Sequence, residues 1–305
     1  MKPETYLPVI KAALKEDAAA RDITSIAVFG NGGGQRRGFL IAREALVISG
    51  LDVVRDVFRA VSRNTQFVTG YANGARVKKG ERFAEIKGFA SDLLRAERTA
   101  LNFLQHLSGI ATLTRRFVEK VKPYRSAILD TRKTLPGLRY LEKRAVVDGG
   151  GKNHRMNLSD QYLIKDNHID ACGGIREAIG RVKGAHKDQR PKTKDQRPFI
   201  EVEARNLVEV RQALEEGVDI IILDNMKIDQ IRKAVKLVNN VHVGAYSYTP
   251  LLEVSGGVNL ENVRKIAQTG VSRISIGALT HSAPAVDIAF EIEDVSKVDK
   301  SQMQM

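Results

Sequence analysis

A chain of 305 residues, 43% hydrophobic and 28% charged, can bury a full core and has room for one large or two ordinary domains. No apolar run approaches membrane-spanning length, the opening stretch carries charges where a secretory signal needs an apolar segment, and the lone Cys172 excludes an intrachain disulfide or a cysteine zinc site, so a cytoplasmic protein without membrane contact is expected. The net charge of +13 calls for anionic partners, but 6% aromatics and no Trp leave no stacking platform for single-stranded nucleic acid, and an anionic small molecule accounts for the charge equally well.

Leu7, Ile10, Ala13 and Leu14 recur at helical spacing and predict an opening amphipathic helix over 5–17. From Ile23 to Phe58 the pattern changes to short β-prone runs, including SIAVF and GFLIA. They are divided by Gly30-Asn31-Gly32-Gly33-Gly34, which reads as a hairpin turn because it lacks the Lys-Ser/Thr ending of a phosphate-cradling loop. Val53–Val61 reads as a helix and RVKKGERFAEIKG as two short strands around Lys79-Gly80, giving a small α+β domain. The stretch SDLLRAERTALNFLQHLSGIATLTRRFVEKV is helical, with Leu94, Leu101, Leu104, Leu107 and Ile110 in one stripe and Ser91 as N-cap, and Gly109 predicts a break into two helices. Arg98 sits beside the stripe, where an arginine is ordinarily a surface ion pair.

After Tyr124 short apolar runs alternate with helical stretches. The runs are Ala127–Leu129, Tyr162–Ile164, Phe199–Val202, Ile220–Leu223, Leu251–Val254 and Ile274–Ile276, with a weaker one at Val241–Val243. Helices are predicted over Leu138–Val147, Ile175–Val182, Leu207–Leu214, Ile228–Val238 and Leu260–Ala267. This alternation means a parallel sheet with crossover helices. Charged, hydroxyl or glycine residues close nearly every run, which favours a β/α barrel, where all strand ends form one rim, over an open sheet with one switch point. The duplicated KDQRP between Gly184 and Pro198 reads as an exposed insertion, 283–293 as a C-terminal helix, and 294–305 as a frayed tail.

The rim carries the chemistry. Arg132, Lys133, Arg155 and Lys165, with Thr131 and His154 beside them, imply a polyanionic ligand, because like charges gathered in one cavity are costly without one. Glu203 and Asp224, at the ends of neighbouring runs, suit Mg2+ held directly or through water, since this ion takes few protein carboxylates and completes its shell from phosphate and water. Glu201 shares a strand face with Glu203, so one of the two can serve only to neutralise Lys133 or Lys165. Ser255-Gly256-Gly257 and Gly277-Ala278, after the last two strands, form a candidate phosphate cup, with His281 as a further donor. The mobile loop Gly149–Arg155 brings Lys152, His154 and Arg155 together. No nucleophile elbow, catalytic cysteine or dinucleotide fingerprint is present, so the chemistry expected is electrostatic: an anionic acceptor attacks a phosphorylated donor.

The segments AERTALNFLQHLSGIATLT, DTRKTLPGLRYLEK, GGGKNHRMNLSDQYLIKDNHI, EVEARNL, IILDNM, LEVSGGV and SIGALTHS resemble, in order, those of the quinolinate phosphoribosyltransferases, also called nicotinate-nucleotide pyrophosphorylases (carboxylating). The resemblance implies phosphoribosyl transfer from 5-phosphoribosyl 1-pyrophosphate to quinolinate with loss of carbon dioxide, giving nicotinate mononucleotide for NAD synthesis. It implies a small N-terminal α/β (α+β) sandwich domain over 1–115, with the 283–293 helix packed back on it. An incomplete β/α barrel of TIM-like type follows over 116–282, in a homodimer or higher homo-oligomer. By the same resemblance Arg132, His154, Arg155 and Lys165 hold the pyridine dicarboxylate, and Arg98 reaches the site across the dimer interface. Lys133, Glu203 and Asp224 serve ribose, pyrophosphate and Mg2+, so that Lys133, Lys165, Glu203 and Asp224 are the expected catalytic set. Ser255, Gly256, Gly257 and Gly277 would bind the 5-phosphate, with His281 near. This chain departs from the family at EDAAARDIT and in the KDQRP insertion. A related phosphoribosyltransferase for another heterocyclic acid is the nearest alternative; a basic nucleic-acid-binding barrel would instead bind DNA or RNA salt-sensitively and release no pyrophosphate.

Overall fold

Apolar side chains at a period of two and of 3.6 residues demand separate burial surfaces, and the chain meets this demand in two compact units. A computed structural model describes residues 5–30, 32–188, 198–240 and 249–294. Unit 1 comprises Met1–Arg115, Thr134–Gly150 and Leu279–Met305; unit 2 comprises Arg116–Lys133 and Gly151–Ala278. Residues 189–197 of the KDQRP duplication, the Val241–Val243 run and nearly all of the predicted tail lie outside the described residues, and residues 184–188, expected to begin the exposed insertion, end a helix over Ile175–Asp188.

In unit 1, helices α1 (Leu7–Glu16), α2 (Ile23–Phe29) and α3 (Leu51–Val61) accompany strands β1 (Gln35–Ala42), β2 (Leu46–Val47), β3 (Gln66–Val68), β4 (Arg76–Val77) and β5 (Arg82–Phe89). Strand β12 (Ile288–Asp294), at the far end of the chain, joins β1, β5 and β3 in one antiparallel sheet of order β12-β1-β5-β3. The helix expected over 283–293 is therefore a strand: Ile288, Phe290 and Ile292 alternate with Ala289, Glu291 and Glu293, and period two outweighs helical spacing over so short a stretch. The Phe290 ring lies where a Cβ on Gly38 would be and 5.6 Å from the Phe58 ring. Arg82 pairs with Glu293 at 2.5 Å and Arg43 with Glu291.

Four further expectations are corrected. SIAVF is helix, not strand: Asp22 Oδ1 accepts the N–H groups of Thr24 and Ser25 at 3.0 and 3.1 Å, an N-cap that outweighs the β-branched composition. The glycine run thus joins a helix to a strand and is not a hairpin turn. Helix α4 (Ala90–Val121) runs 32 residues through Gly109 without a break. A Cβ at Gly109 would overlap the Pro284 carbonyl, so this glycine serves close approach. Helix α5 (Arg139–Asp148), expected within the barrel, belongs to unit 1. There Arg144 Nη1 donates to Asp52 at 2.6 Å, Ser49 Oγ donates to Asp148 at 2.6 Å, and His106 Nε2 lies 2.9 Å from the buried Glu142.

Unit 2 holds strands β6 (Ala127–Leu129), β7 (Tyr162–Ile164), β8 (Ile200–Ala204), β9 (Ile220–Asp224), β10 (Leu251–Ser255) and β11 (Arg273–Ser275). All six pair in parallel in the order β6-β11-β10-β9-β8-β7. Consecutive strands neighbour one another from β7 to β11, and the first strand pairs with the last: this is the order of a β/α barrel left open between β6 and β7. Helices α6 (Asp166–Cys172), α7 (Ile175–Asp188), α8 (Leu207–Glu215), α9 (Ile228–Asn240) and α10 (Val263–Ala267) follow β7 to β10 in turn, and α11 (Ala278–His281) follows β11. Val202, Ile221, Leu223, Val254 and Ile274 are among its fully or almost fully buried strand residues.

Candidate active site

Because the six strands of unit 2 are parallel, their C-terminal ends lie along one rim. The first residue past β6, Asp130, is wholly buried, and its Oδ1 accepts the His154 N–H at 2.8 Å. Lys152 lies against the free edge of β6, donating to Ile128 O at 2.8 Å and accepting from Asp130 N–H at 3.2 Å. The segments 130–133 and 151–155 are thereby held side by side. Thr131 Oγ1 accepts the Lys133 N–H at 3.1 Å, which shapes the turn that exposes Lys133.

Arg132 is half-buried, and Arg155 is only 9% exposed. Arg155 Nη1 donates to Gln161 O at 3.2 Å, while the Nε of each arginine is buried without an acceptor among the described residues. Burial, and after it the positive charge of Arg132, depress the Arg155 guanidinium's affinity for its proton. Two neighbouring guanidinium groups with unsatisfied buried N–H groups form an arrangement that an anion relieves.

Lys165, at the end of β7, pairs through its ammonium with Glu203, and its own N–H is accepted by His168 Nδ1 at 3.0 Å. Of the two strand-mates, Glu203 is thus the carboxylate that neutralises a lysine. Glu201, wholly buried, turns inward to Gln161 Nε2 at 2.6 Å and His154 Nε2 at 3.1 Å. Asp224 closes β9, and its Oδ2 accepts from Asn225 Nδ2 at 2.9 Å. Asn225 is left-handed at φ 52° and donates its N–H to Ser255 O at 2.9 Å. A Cβ on Gly256, at φ +90°, would overlap the Asn225 amide, so the Asp224 end and the Ser255-Gly256-Gly257 turn interlock. Gly277 follows β11. Arg98 and His281 belong to unit 1, both exposed, Arg98 on α4 and His281 at the end of α11 with Nδ1 2.6 Å from Ser282 Oγ.

Sequence reading missed Glu253, although a charge inside the apolar run LLEV is a visible anomaly. It is wholly buried on β10, 3.5 Å from His154 Nε2, and accepts from Arg273 Nε at 2.6 Å. Burial and then the Glu201 charge push its carboxyl pKa up, against the opposing pull of His154 and Arg273. The cluster His154, Glu201 and Glu253 brings three potential metal-ligand atoms within 4.8 Å. His154 Nδ1, however, accepts the Arg155 N–H at 2.8 Å, so the ring proton sits on Nε2, pointing at the carboxylates. Glu201 Oε1 and Glu253 Oε1 are buried without a hydrogen-bond partner among the described residues. Glu203 and Asp224, half-buried oxygen donors on neighbouring strands at the rim, are a donor set that fits Mg2+.

Residues 22–108 match the family model for the N-terminal domain of quinolinate phosphoribosyl transferase, and residues 110–291 match that for its C-terminal domain. A probable nicotinate-nucleotide pyrophosphorylase (carboxylating) of Methanocaldococcus jannaschii is 40% identical over 294 residues, 96% of this chain and 99% of its own. A mitochondrial quinolinate phosphoribosyltransferase (decarboxylating) of Nicotiana tabacum is 40% identical over 302 residues, 93% of this chain and 81% of its own. The solved nicotinate-nucleotide pyrophosphorylase of Francisella tularensis matches with a TM-score of 0.86 at 35% identity, over 96% of this chain and 98% of that one. With both domain models matched in order and relatives aligned over nearly the whole length, the chain belongs to the quinolinate phosphoribosyltransferase family.

Proposed function

We propose that this protein transfers the phosphoribosyl group of 5-phosphoribosyl 1-pyrophosphate to the ring nitrogen of quinolinate and releases carbon dioxide and pyrophosphate, the step that gives nicotinate mononucleotide for NAD. The observation that carries the reading is the pair of buried, unsatisfied guanidinium N–H groups on Arg132 and Arg155, which calls for an anion of more than one carboxylate. His154 and Thr131 flank them. Lys165, bonded to Glu203, stands where a carboxylate or a departing phosphate can take over its ammonium, and Lys133 on the adjoining exposed turn is a second cation for pyrophosphate. The Ser255-Gly256-Gly257 turn and Gly277 are assigned to the 5-phosphate.

The C1–O bond to pyrophosphate breaks as the pyridine nitrogen forms the new bond to ribose C1. The positive ring nitrogen then draws the electron pair from the adjacent carboxylate bond, carbon dioxide leaves, and the carbon takes up a proton. The arginines hold the ring against the sugar, and the lysines stabilise charge on the leaving group. Mg2+, held by Glu203 and Asp224 directly or through water, would supply further neutralisation of pyrophosphate. The assembly proposed is a cytoplasmic homodimer or a multiple of it, in which Arg98, exposed on α4, completes the partner's site. The free, half-buried Cys172 fits a reducing compartment.

The test is pyrophosphate and carbon dioxide release with quinolinate and with nicotinate. Equal amounts of both products, from quinolinate alone, are expected. Release with nicotinate, or none with either acid, overturns the reading.

A further inference from the structure

The cluster beneath Arg155 has a use that the reaction's own groups do not cover. Glu201 and Glu253 stand on β8 and β10, separated by β9, and are both wholly buried. Two carboxylates in one interior are retained at a cost unless they hold something. Nε2 of His154 faces both, 3.1 Å from Glu201 Oε2 and 3.5 Å from Glu253 Oε1. The carboxylates are themselves braced, Glu201 by Gln161 Nε2 and Glu253 by Arg273 Nε, each at 2.6 Å.

The other side of the imidazole faces the substrate arginine. His154 Nδ1 accepts the Arg155 N–H at 2.8 Å, Asp130 accepts the His154 N–H at 2.8 Å, and Gln161 O accepts from Arg155 Nη1 at 3.2 Å. A neutral imidazole can accept at Nδ1 only while Nε2 carries the proton, and the carboxylates below fix that choice. We infer that Glu201 and Glu253 are positioning residues: their carboxylates, 3.1 and 3.5 Å from Nε2, favour the ring proton on that nitrogen, hold His154 as the acceptor of the Arg155 amide and so set the guanidinium that receives the substrate carboxylate. This rests on the assignment of Arg155 to quinolinate. His154 then serves through both ring nitrogens as a strut, and its contribution to quinolinate binding runs through Arg155.

Replacing each glutamate by Met removes the oxygen that faces Nε2, while Gln keeps a carbonyl oxygen in its place. Glu201→Met and Glu253→Met should raise the KM for quinolinate by roughly tenfold or more and leave that for 5-phosphoribosyl 1-pyrophosphate within about twofold, whereas Glu201→Gln and Glu253→Gln should stay near the parent. A merely structural role would lower folded yield and move both constants together. Long-range proton–nitrogen NMR of histidine-labelled protein, with His154 assigned by His154→Asn, should show the Nε2–H tautomer in the parent and lose it in the Met variants. An Nδ1–H signature in the parent, or Met variants with the parent's quinolinate KM, overturns the proposal. If the Met variants do not fold, the parent's tautomer and the Gln variants' constants decide. Absence of turnover in the parent would count against the proposed reaction instead, and the tautomer and the protection of the Arg155 amide from exchange would still test the strut.

Discussion

Replacing Arg155 by Met separates binding from stability more sharply than any other change at the rim. Arg155 is 9% exposed, and its guanidinium donates one hydrogen bond to Gln161 O at 3.2 Å, keeps a buried Nε without an acceptor among the described residues, and lies near the charge of Arg132. In the bound state it would give a carboxylate a charge-assisted pair of hydrogen bonds, so its loss should cost about 3 kcal/mol, or roughly two orders of magnitude in the Kd for quinolinate. In the ligand-free protein the balance reverses. An apolar side chain of similar length ends the repulsion and the unsatisfied N–H, at the expense of one hydrogen bond worth about 1 kcal/mol. The empty variant should therefore melt within about 2 °C of the parent or above it. Titration calorimetry and thermal unfolding with and without quinolinate are the assays. The parent's affinity in the variant, or a fall of more than about 5 °C in the empty protein's Tm, would show that the guanidinium is a structural cation and refute the argument.

Mixing inactive Arg98→Ala and Lys165→Ala subunits should restore roughly a quarter of the parent's activity, since about half the dimers are mixed and each of these has one intact site; no recovery despite subunit exchange would remove Arg98 from the partner's site. Gly256→Ala places a methyl group against Asn225 at φ +90°, and should raise the KM for 5-phosphoribosyl 1-pyrophosphate roughly tenfold while leaving quinolinate binding intact. Gly257→Ala, at φ +62° with open space around its Cβ, meets backbone strain alone and should do less, so equal effects would argue against the interlock with the Asp224 end. Glu253 has its carboxyl pKa raised above 4.5 in the folded state, so the folded protein holds that proton more tightly than the unfolded chain; the contribution is complete below the unfolded value and is lost as pH rises through the folded one. Glu253→Gln should lack this loss, its stability relative to the parent increasing upward from about pH 4.5 in urea unfolding, whereas parallel pH curves would mean that folding does not raise the carboxyl's pKa.

Much of unit 2 was legible because its signals are local. Tyr162–Ile164 is the strand the apolar run predicts, and Asp224, Ser255 and Lys165 stand at strand ends as the grammar of run, polar turn and helix requires. Unit 1 hid where a single polar contact or a distant strand decided the outcome. Ile23 and Val28 favour a strand by composition, yet the Asp22 carboxylate satisfies two N–H groups and starts a helix. The strand at Ile288–Asp294 is stabilised by β1, some 250 residues earlier in the chain, and no window around it contains its partner.

The buried charges were the harder problem, for a reason that also explains their value. Hydrophobic periodicity treats polarity as a proxy for exposure, so it reads Glu203 correctly as a rim residue and offers no place for Glu253, whose neighbours Leu252 and Val254 are buried as well. A charge can stay inside only if side chains from other strands meet it, and here Arg273 from β11, His154 from the loop along β6 and Glu201 from β8 converge on one point. That convergence is a property of the barrel's closure order, which brings β6 beside β11, and becomes readable only once that order is known. A glutamate interrupting an apolar strand run in a β/α sequence should therefore be treated as a candidate member of an interior network that supports the rim, and tested through the rim residue it holds.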